Sequence, residues 1–309
     1  MDKMIVSNAP FVHSKNDINK MFLCVSIALI IPAIYGVIFF GYGTLILIFA
    51  SIASCFVFEL LYNAITLNKF VVKDFSFFVT SLVLALSLPY KTPVYVVIAC
   101  SFFSIFIVKM VFGGLGLNKF NPALVGRCLA GVIVPELSTT LYEITLNGEV
   151  LTSISQGGTN SIFSLLSGEA VGGIGTTYVL LILLCFIYLV YTGVIDYKIP
   201  LFAIISYFLT AYLLVGLDAA LINICSGSFL FISVYMLTDP NTSPDTLPGK
   251  ILYAVLFGVL SAFAWLDGGM GESTLFVVAL FVNLLVPFMD KYLIVKPLNL
   301  GGFRNAHKK

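Results

Sequence analysis

Ten long apolar runs, separated by short polar segments, dominate this sequence. They cover approximately residues 21–40, 43–64, 75–90, 93–112, 120–135, 177–195, 199–216, 218–236, 250–267 and 272–290. A helix needs roughly 20 apolar residues to cross a bilayer. Only 10% of the 309 residues are charged and 60% are hydrophobic, too few charges for the surface of a soluble domain. We therefore expect an all-α, multi-pass protein of the lipid bilayer. The composition excludes disordered chains, nucleic-acid binders and ordinary soluble enzymes.

The third and fifth runs are short for simple membrane crossings, and several runs contain glycine and proline. Such residues are tolerated in membrane helices that are tilted, broken or re-entrant. We expect helices of this kind among the ten.

The positive charges lie on one side of these ten runs. With an even number of crossings, one side carries Lys3, Lys15, Lys20, Lys69, Lys73, Lys109, Lys119, Lys198, Lys250, Lys291, Lys296, Arg304, Lys308 and Lys309. The opposite side has only Lys91 and several acidic residues. Lysine and arginine concentrate in cytoplasmic loops. This bias predicts that both termini are cytoplasmic, in an inner or plasma membrane.

Weak internal similarity relates the two halves of the chain. The segment 78–93 aligns with 229–244 at an offset of 151, and Val134-Pro135 aligns with Val286-Pro287 at an offset of 152. The "GGLG" at 113–116 aligns with "GGMG" at 268–271 at an offset of 155. We interpret residues 1–135 and 177–309 as two five-helix repeats, joined by an extracytoplasmic loop, 136–176. Because five crossings is an odd number, the repeats would be inverted, as in many transporters.

Three polar features within or beside the apolar runs are candidate ligand sites. Arg127 costs about 2.5–3.5 kcal/mol in mid-membrane unless it has a partner. It could bind an anionic or electron-rich ligand such as a flavin edge, reach the interface, or pair with a carboxylate such as Glu59. Asn118 and Asn121 flank a predicted helix start at Pro122 and could cap it or bind a polar ligand. Asp239 could cap the following turn or line an ion or flavin site.

The outer loop and the cysteines have simpler interpretations. Gly157, Gly158 and Thr159 could form a flexible turn, although small residues also allow a bulky group to approach the backbone. The cysteines sit singly in apolar runs, without CxxC pairs, and are interpreted as small buried hydrophobic residues. We expect no metal site.

Several segments resemble the RnfD and NqrB family, whose members are membrane subunits of ion-pumping oxidoreductases. The similar segments are "SNAPFVHSKNDINKMF", "DFSFFVTSLVLALSLP", "GGLGLNKFNPALVGR", "TDPNTSP" and "DGGMGESTLFVVALFVNLLVPFMD", and they run nearly end to end. The family fold is similar to that of channel-like urea transporters. The resemblance therefore implies two inverted five-helix repeats with broken or re-entrant helices.

The resemblance also implies a covalent cofactor. Family members carry flavin mononucleotide (FMN), joined by a phosphoester to a threonine in a D-x-x-[ST]-G-A-T type motif. The matching stretch is "SISQGGT", so Thr159 takes the acceptor position, with Thr152 as the reserve candidate. Ser153, Gln156 and Gly158 depart from the motif that the flavin transferase reads. The downstream "GGIGTT" at 172–177 resembles the family's GSIGET.

The implied function is electron relay within an Rnf-type complex that couples ferredoxin–NAD electron flow to Na⁺ or H⁺ translocation. Related subunits also hold a second, non-covalent flavin, riboflavin, and Asn118, Asn121 and Arg127 are candidates near it. The chain would be a redox subunit of a translocase without an NAD or Fe–S site or catalytic side chains of its own. The expected partners are RnfA, RnfB, RnfC, RnfE, RnfG and the flavin transferase, with no nucleic acid. The alternative is an inverted-repeat transporter or channel for a small polar solute or ion.

Overall fold

All regular elements that the computed structural model describes are helices. It describes residues 18–67, 75–135, 166, 172–225, 228–266 and 273–293. In chain order the helices are α1 (Ile18–Phe40), α2 (Tyr42–Leu67), α3 (Ser76–Ser87), α4 (Val94–Ser101, continuing as π-helical turns Phe102–Val111), α5 (Pro122–Ile133), α6 (Val179–Tyr191), α7 (Lys198–Val215), α8 (Leu217–Cys225), α9 (Phe229–Phe231, continuing as π-helical turns Ile232–Met236), α10 (Leu247–Leu266), α11 (Ser273–Leu284) and α12 (Val286–Tyr292). Their number and apolar composition are those of a multi-pass membrane protein.

Each of the ten apolar runs coincides with helix, but their lengths differ. Among the described residues six helical stretches are long and apolar enough to cross a membrane: Lys20–Phe40, Tyr42–Thr66, Val94–Val111, Lys198–Val215, Leu247–Ala264 and Ser273–Tyr292. The run predicted at 218–236 contains two helices, α8 and α9, rather than one. The run predicted at 272–290 also contains two, since Leu285 interrupts it before Pro287.

The short helices α3 and α9 form the centre of the molecule, and the long helices α1, α2 and α7 form part of its rim. At 12 residues α3 is about 18 Å long, well below the roughly 30 Å hydrocarbon thickness. A helix of this length would span only part of a bilayer, so the free backbone groups at its end need protein partners. Accordingly, residues 81–89 and 229–238 are almost entirely buried, whereas α1, α2 and α7 expose isoleucine, leucine and phenylalanine outward.

The long helices α1 and α2 are separated by one residue. Gly41 has φ +86°, a left-handed conformation that glycine adopts without steric cost, and its carbonyl accepts a hydrogen bond from the Thr44 N–H. This glycine therefore permits the tight reversal.

Helix positions recur at the offset found in the sequence. Pro122 and Ser273, which begin α5 and α11, are 151 residues apart, and so are Ile133 and Leu284, which end them. Helix packing also recurs: α2 contacts α4 as α7 contacts α10, and α4 contacts α5 as α10 contacts α11. The duplication and the inverted orientation remain predictions that this recurrence supports.

Candidate functional site

The central helices α3 and α9 both stop before a proline. Leu88 precedes Pro89 and is extended (φ −86°, ψ 149°), the conformation that a following proline favours. Beyond α9, Asp239 precedes Pro240 and lies outside the helix. Each of these helix ends leaves carbonyl groups without intrahelical partners in the protein interior, and the nearby polar residues donate hydrogen bonds to them.

Asn121 connects the start of α5 to the end of α9. Its Oδ1 accepts a hydrogen bond from the Leu124 N–H at 3.2 Å, so it is the predicted N-cap, with Pro122 at the first helical position. Its Nδ2 donates to the Met236 carbonyl at 3.1 Å. One side chain therefore caps a helix of the first half and satisfies a carbonyl of the second.

Asn283, on α11, extends this connection. Its Oδ1 accepts from the Asn121 backbone N–H at 3.3 Å, and its Nδ2 donates to the Thr242 carbonyl at 2.9 Å. Asn283 is 1% exposed, in agreement with the rule that buried polar groups are hydrogen-bonded. It was not among the residues predicted from the sequence, although a lone amide inside "FVVALFVNLLVPF" is a usable signal.

A cavity of about 330 Å³ lies beside these contacts, between the two halves. Its polar lining includes three residues predicted from the sequence and one that was not: Asn118, Asn121, Asp239 and Lys109. Most of the remaining lining is apolar, including Val79, Val83 and Val234. A mainly apolar cavity with a few convergent polar groups is typical of a small-molecule or cofactor site.

Asn118 leaves one polar atom unsatisfied in the cavity wall. Its Nδ2 donates to the Phe120 carbonyl at 3.2 Å, while its buried Oδ1 has no hydrogen-bond partner among the described residues. A buried acceptor without a partner costs about 1–3 kcal/mol. The Asn118 Oδ1 is therefore available to accept a hydrogen bond from an N–H or O–H group of a ligand in the cavity.

Asp239 caps the turn that follows α9. Its carboxylate accepts from the Asn241 N–H at 3.3 Å and from the Thr242 hydroxyl at 3.0 Å. Burial raises the pKa of Asp239, and these two hydrogen bonds oppose the increase. The capping interpretation is confirmed, and the side chain also lines the cavity.

Arg127 is outside the cavity lining and occupies the end of α3. It is 1% exposed; its Nε donates to the Ser87 carbonyl at 2.8 Å and its Nη1 to the Ser273 hydroxyl at 3.2 Å. Its guanidinium lies 4.5 Å from the ring centre of Phe276. The positive charge thus meets the negative end of the α3 dipole. Of the options left open by the sequence, a buried partner is observed, and it includes the end of α3.

The segment Gly172–Thr177 occupies the same end of α3. The Ile174 N–H donates to the Leu88 carbonyl at 2.9 Å, and the Gly175 N–H donates to the Leu86 carbonyl at 2.8 Å. A Cβ on Gly175 would lie 2.7 Å from the Leu86 Cβ, so the approach requires glycine. The final carbonyls of α3 are therefore shared between Arg127 and this segment.

Lys109 forms a buried ion pair with Glu59. The Lys109 Nζ lies 2.7 Å from the Glu59 Oε2, and the side chains are 3% and 2% exposed. From the sequence, Lys109 counts among the ordinary positive charges of one side, but it lies in the π-helical part of α4 and is buried in the protein. Its isolation in "FIVKMVF" is the sequence signal that was missed.

Comparison with known proteins assigns this architecture to a family. A sequence model described as the NQR2, RnfD, RnfE family matches residues 5–299. The chain belongs to this family. A relative from Clostridium ljungdahlii, named as a component of a proton-translocating ferredoxin:NAD(+) oxidoreductase complex, is 28% identical over 97% of this chain and 96% of its own. A relative from Acetobacterium woodii, named as the corresponding component of a Na(+)-translocating ferredoxin:NAD(+) oxidoreductase complex, is 30% identical over 94% and 93%. A component of an ion-translocating oxidoreductase complex from Mannheimia succiniciproducens is 27% identical over 93% and 95%.

The family assignment confirms the resemblance found in the sequence, and the structure brings part of the predicted site together. Asn118, Asn121 and Asp239 share one cavity, whereas Arg127 does not line it. Gly157, Gly158 and Thr159 lie outside the described residues, so their predicted role stays a prediction. Four of the six cysteines are buried and two are half-buried, and none is disulfide-bonded.

Proposed function

We propose that this chain is the membrane electron-transfer subunit of an Rnf-type complex that couples ferredoxin–NAD electron flow to Na⁺ or H⁺ translocation. The observation that carries the proposal is its similarity, along more than nine tenths of its length, to relatives named as components of such complexes. The names of these relatives divide between the two ions. The expected partners are the other subunits, RnfA, RnfB, RnfC, RnfE and RnfG, in a plasma membrane with both termini cytoplasmic.

A covalent FMN on Thr159 is the first part of the proposed cofactor set. The "SISQGGT" stretch supports it, as does the "GGIGTT" that begins 13 residues later. The packing of Gly172–Thr177 on α3 gives the loop that contains Thr159 a fixed anchor at the protein core. The flavin transferase is the expected partner during maturation.

The cavity between the halves is the proposed site of the non-covalent flavin, riboflavin. Its volume of about 330 Å³ lies in the range of small-molecule sites. The unsatisfied Oδ1 of Asn118 suits the single ring N–H of a flavin, and Lys109 can donate to a ring carbonyl oxygen. The apolar lining can hold the flat ring and exclude water. The residues present therefore fit the group.

A bound flavin supplies one-electron transfer, which no ordinary side chain provides. The chain contributes position, exclusion of water and nearby charge. Asn118, Asn121 and Asp239 supply polar groups to the cavity lining, and the Lys109–Glu59 ion pair places two opposite charges beside it.

In-gel fluorescence tests the covalent part of the proposal. The chain, produced with its flavin transferase, should give a fluorescent band under ultraviolet light after denaturing electrophoresis. Thr159→Ala should abolish the band, while Thr152→Ala, a nearby hydroxyl in the same segment, should retain it. Mass spectrometry of the peptide 136–176 should locate one FMN on Thr159. A wild-type band without fluorescence would overturn covalent flavin attachment and favour the solute-transporter alternative.

A further inference from the structure

Asn283 stands out because it joins the two halves at the cavity without lining it. Its amide lies on α11, in an otherwise apolar helix, and contacts α5 through Asn121 and the loop after α9 through Thr242. One side chain therefore links two segments that line the cavity, residues 118–121 and residues 239–241, which are called its two walls below. The Asn283 side chain accepts a hydrogen bond from the first segment and donates one next to the second.

Two of the hydrogen bonds of Asn283 lead directly to a wall of the cavity. On one side, the Asn121 N–H is held in the turn whose side chains, Asn118 and Asn121, line the cavity. On the other side, the Thr242 hydroxyl donates to Asp239, and the Thr242 N–H donates to the Asp239 carbonyl at 3.1 Å. The chain of contacts therefore runs from the first wall through Asn283 to the second.

The chemistry of the position selects an amide. The side chain must accept from a backbone N–H and donate to a backbone C=O, one group on each side, within a short reach. Aspartate, of nearly the same shape, keeps the acceptor but has no hydrogen for the Thr242 carbonyl when ionised. Leucine fills the space but leaves both backbone groups unsatisfied.

We propose that Asn283 is a positioning residue for the non-covalent flavin, which sets the spacing of the two cavity walls without touching the ring. This inference rests on the proposed function, since it requires a flavin in the cavity. It assigns to α11, which does not line the cavity, the alignment of lining residues that come from both halves.

The test is flavin binding to the purified full-length chain. Asn283→Asp and Asn283→Leu should raise the riboflavin dissociation constant by at least about fivefold, the effect of losing one buried hydrogen bond. They should also weaken the visible circular dichroism of bound riboflavin, which depends on its orientation. Thr242→Val, which retains the carbonyl that Asn283 binds but removes the hydroxyl contact to Asp239, should give a smaller change in the same direction.

Two controls separate positioning from general damage. Asn63→Asp alters an equally buried amide, 3% exposed on α2, that is not part of the cavity lining, and it should leave riboflavin binding unchanged. The covalent FMN band should be unchanged in every variant. Should the Asn283 variants fail to fold, Thr242→Val carries the test alone.

The outcomes distinguish the inference from the function on which it rests. Suppose that the wild type binds riboflavin and that the Asn283 and Thr242 variants bind it with the same affinity and the same circular dichroism. This result would overturn the positioning role but not the cavity assignment. An equal loss in Asn63→Asp would also overturn it, because the effect would then be general. A wild-type chain that neither retains nor rebinds riboflavin would overturn the cavity assignment itself.

Discussion

Removing the charge of Lys109 should destabilise the protein strongly, because it removes the cation that forms an ion pair with the buried Glu59 carboxylate. The two side chains are separated by 2.7 Å and are 3% and 2% exposed. Lys109→Met retains most of the apolar stem and removes only the ammonium group. Breaking a buried ion pair by removing one partner costs about 3–5 kcal/mol, since water in the interior cannot replace the lost attraction.

The size of the effect can be worked out by comparison with a second ion pair. Lys250 and Asp196 are 3.0 Å apart, but their side chains are 23% and 26% exposed, so water screens them. Lys250→Met should therefore cost at most about 1 kcal/mol. The double change Lys109→Met with Glu59→Met removes both buried charges and should recover most of the loss, because apolar replacements of buried pairs are often neutral.

The free energy of unfolding in detergent micelles, followed by circular dichroism during titration with a denaturing detergent, measures these differences. Wild type, the double variant and Lys250→Met should have similar free energies of unfolding. That of Lys109→Met should be well below all three. Equal losses in Lys109→Met and Lys250→Met, or a double variant as unstable as Lys109→Met, would refute the reasoning from burial.

Three further predictions concern topology, packing and pH. In whole cells, a cysteine placed at Ser155 should react with an impermeant thiol reagent from outside and one at Asn305 should not; labelling of both would contradict the ten-crossing topology. Gly175→Ala should lower the free energy of unfolding by about 1–3 kcal/mol, because its Cβ would lie 2.7 Å from the Leu86 Cβ, whereas Gly43→Ala, with nothing within 4 Å, should cost nothing. Burial alone would raise the pKa of Asp196, but hydrogen bonds from Lys250 and from the Lys198 N–H, with the two lysine charges, lower it overall. Its contribution to stability should be present above the unfolded-state pKa of about 3.9 and lost as the pH falls through the lower folded value. Unfolding of Asp196→Asn should accordingly be less sensitive to acid than that of wild type, and an unchanged acid limb would contradict the assignment.

The lengths of the apolar runs, and the proline and polar residues between them, were sufficient to predict most helices. Pro122 after Asn121 predicted the start of α5. The division of the eighth run was not predictable from hydropathy, since Leu217–Cys225 and Phe229–Met236 are apolar on both sides of the break.

The site was predictable only where a polar residue accompanied a turn. Asn118, Asn121 and Asp239 each stand beside proline-containing turns, and they converge on one cavity. Lys109 and Asn283 lie inside helices, and which way each points depends on helix register and packing. The π-helical turns of α4 change that register, and an α-helical period does not reveal them.

The packing of Gly172–Thr177 on the end of α3 has a consequence for modularity. In the sequence this segment leads into the second half, yet its N–H groups donate hydrogen bonds to the carbonyls at the end of α3, in the first half. If the halves were produced as separate chains cut after residue 177, the first fragment would keep the segment that binds the end of its own α3. The second fragment would lose only residues that precede its first helix, α6. After a cut before residue 172, the segment would belong to the second fragment. It would then have to bind α3 of the first fragment, as in a domain-swapped complex. Co-expressed fragments divided at these two points should therefore differ in whether the first half is stable on its own.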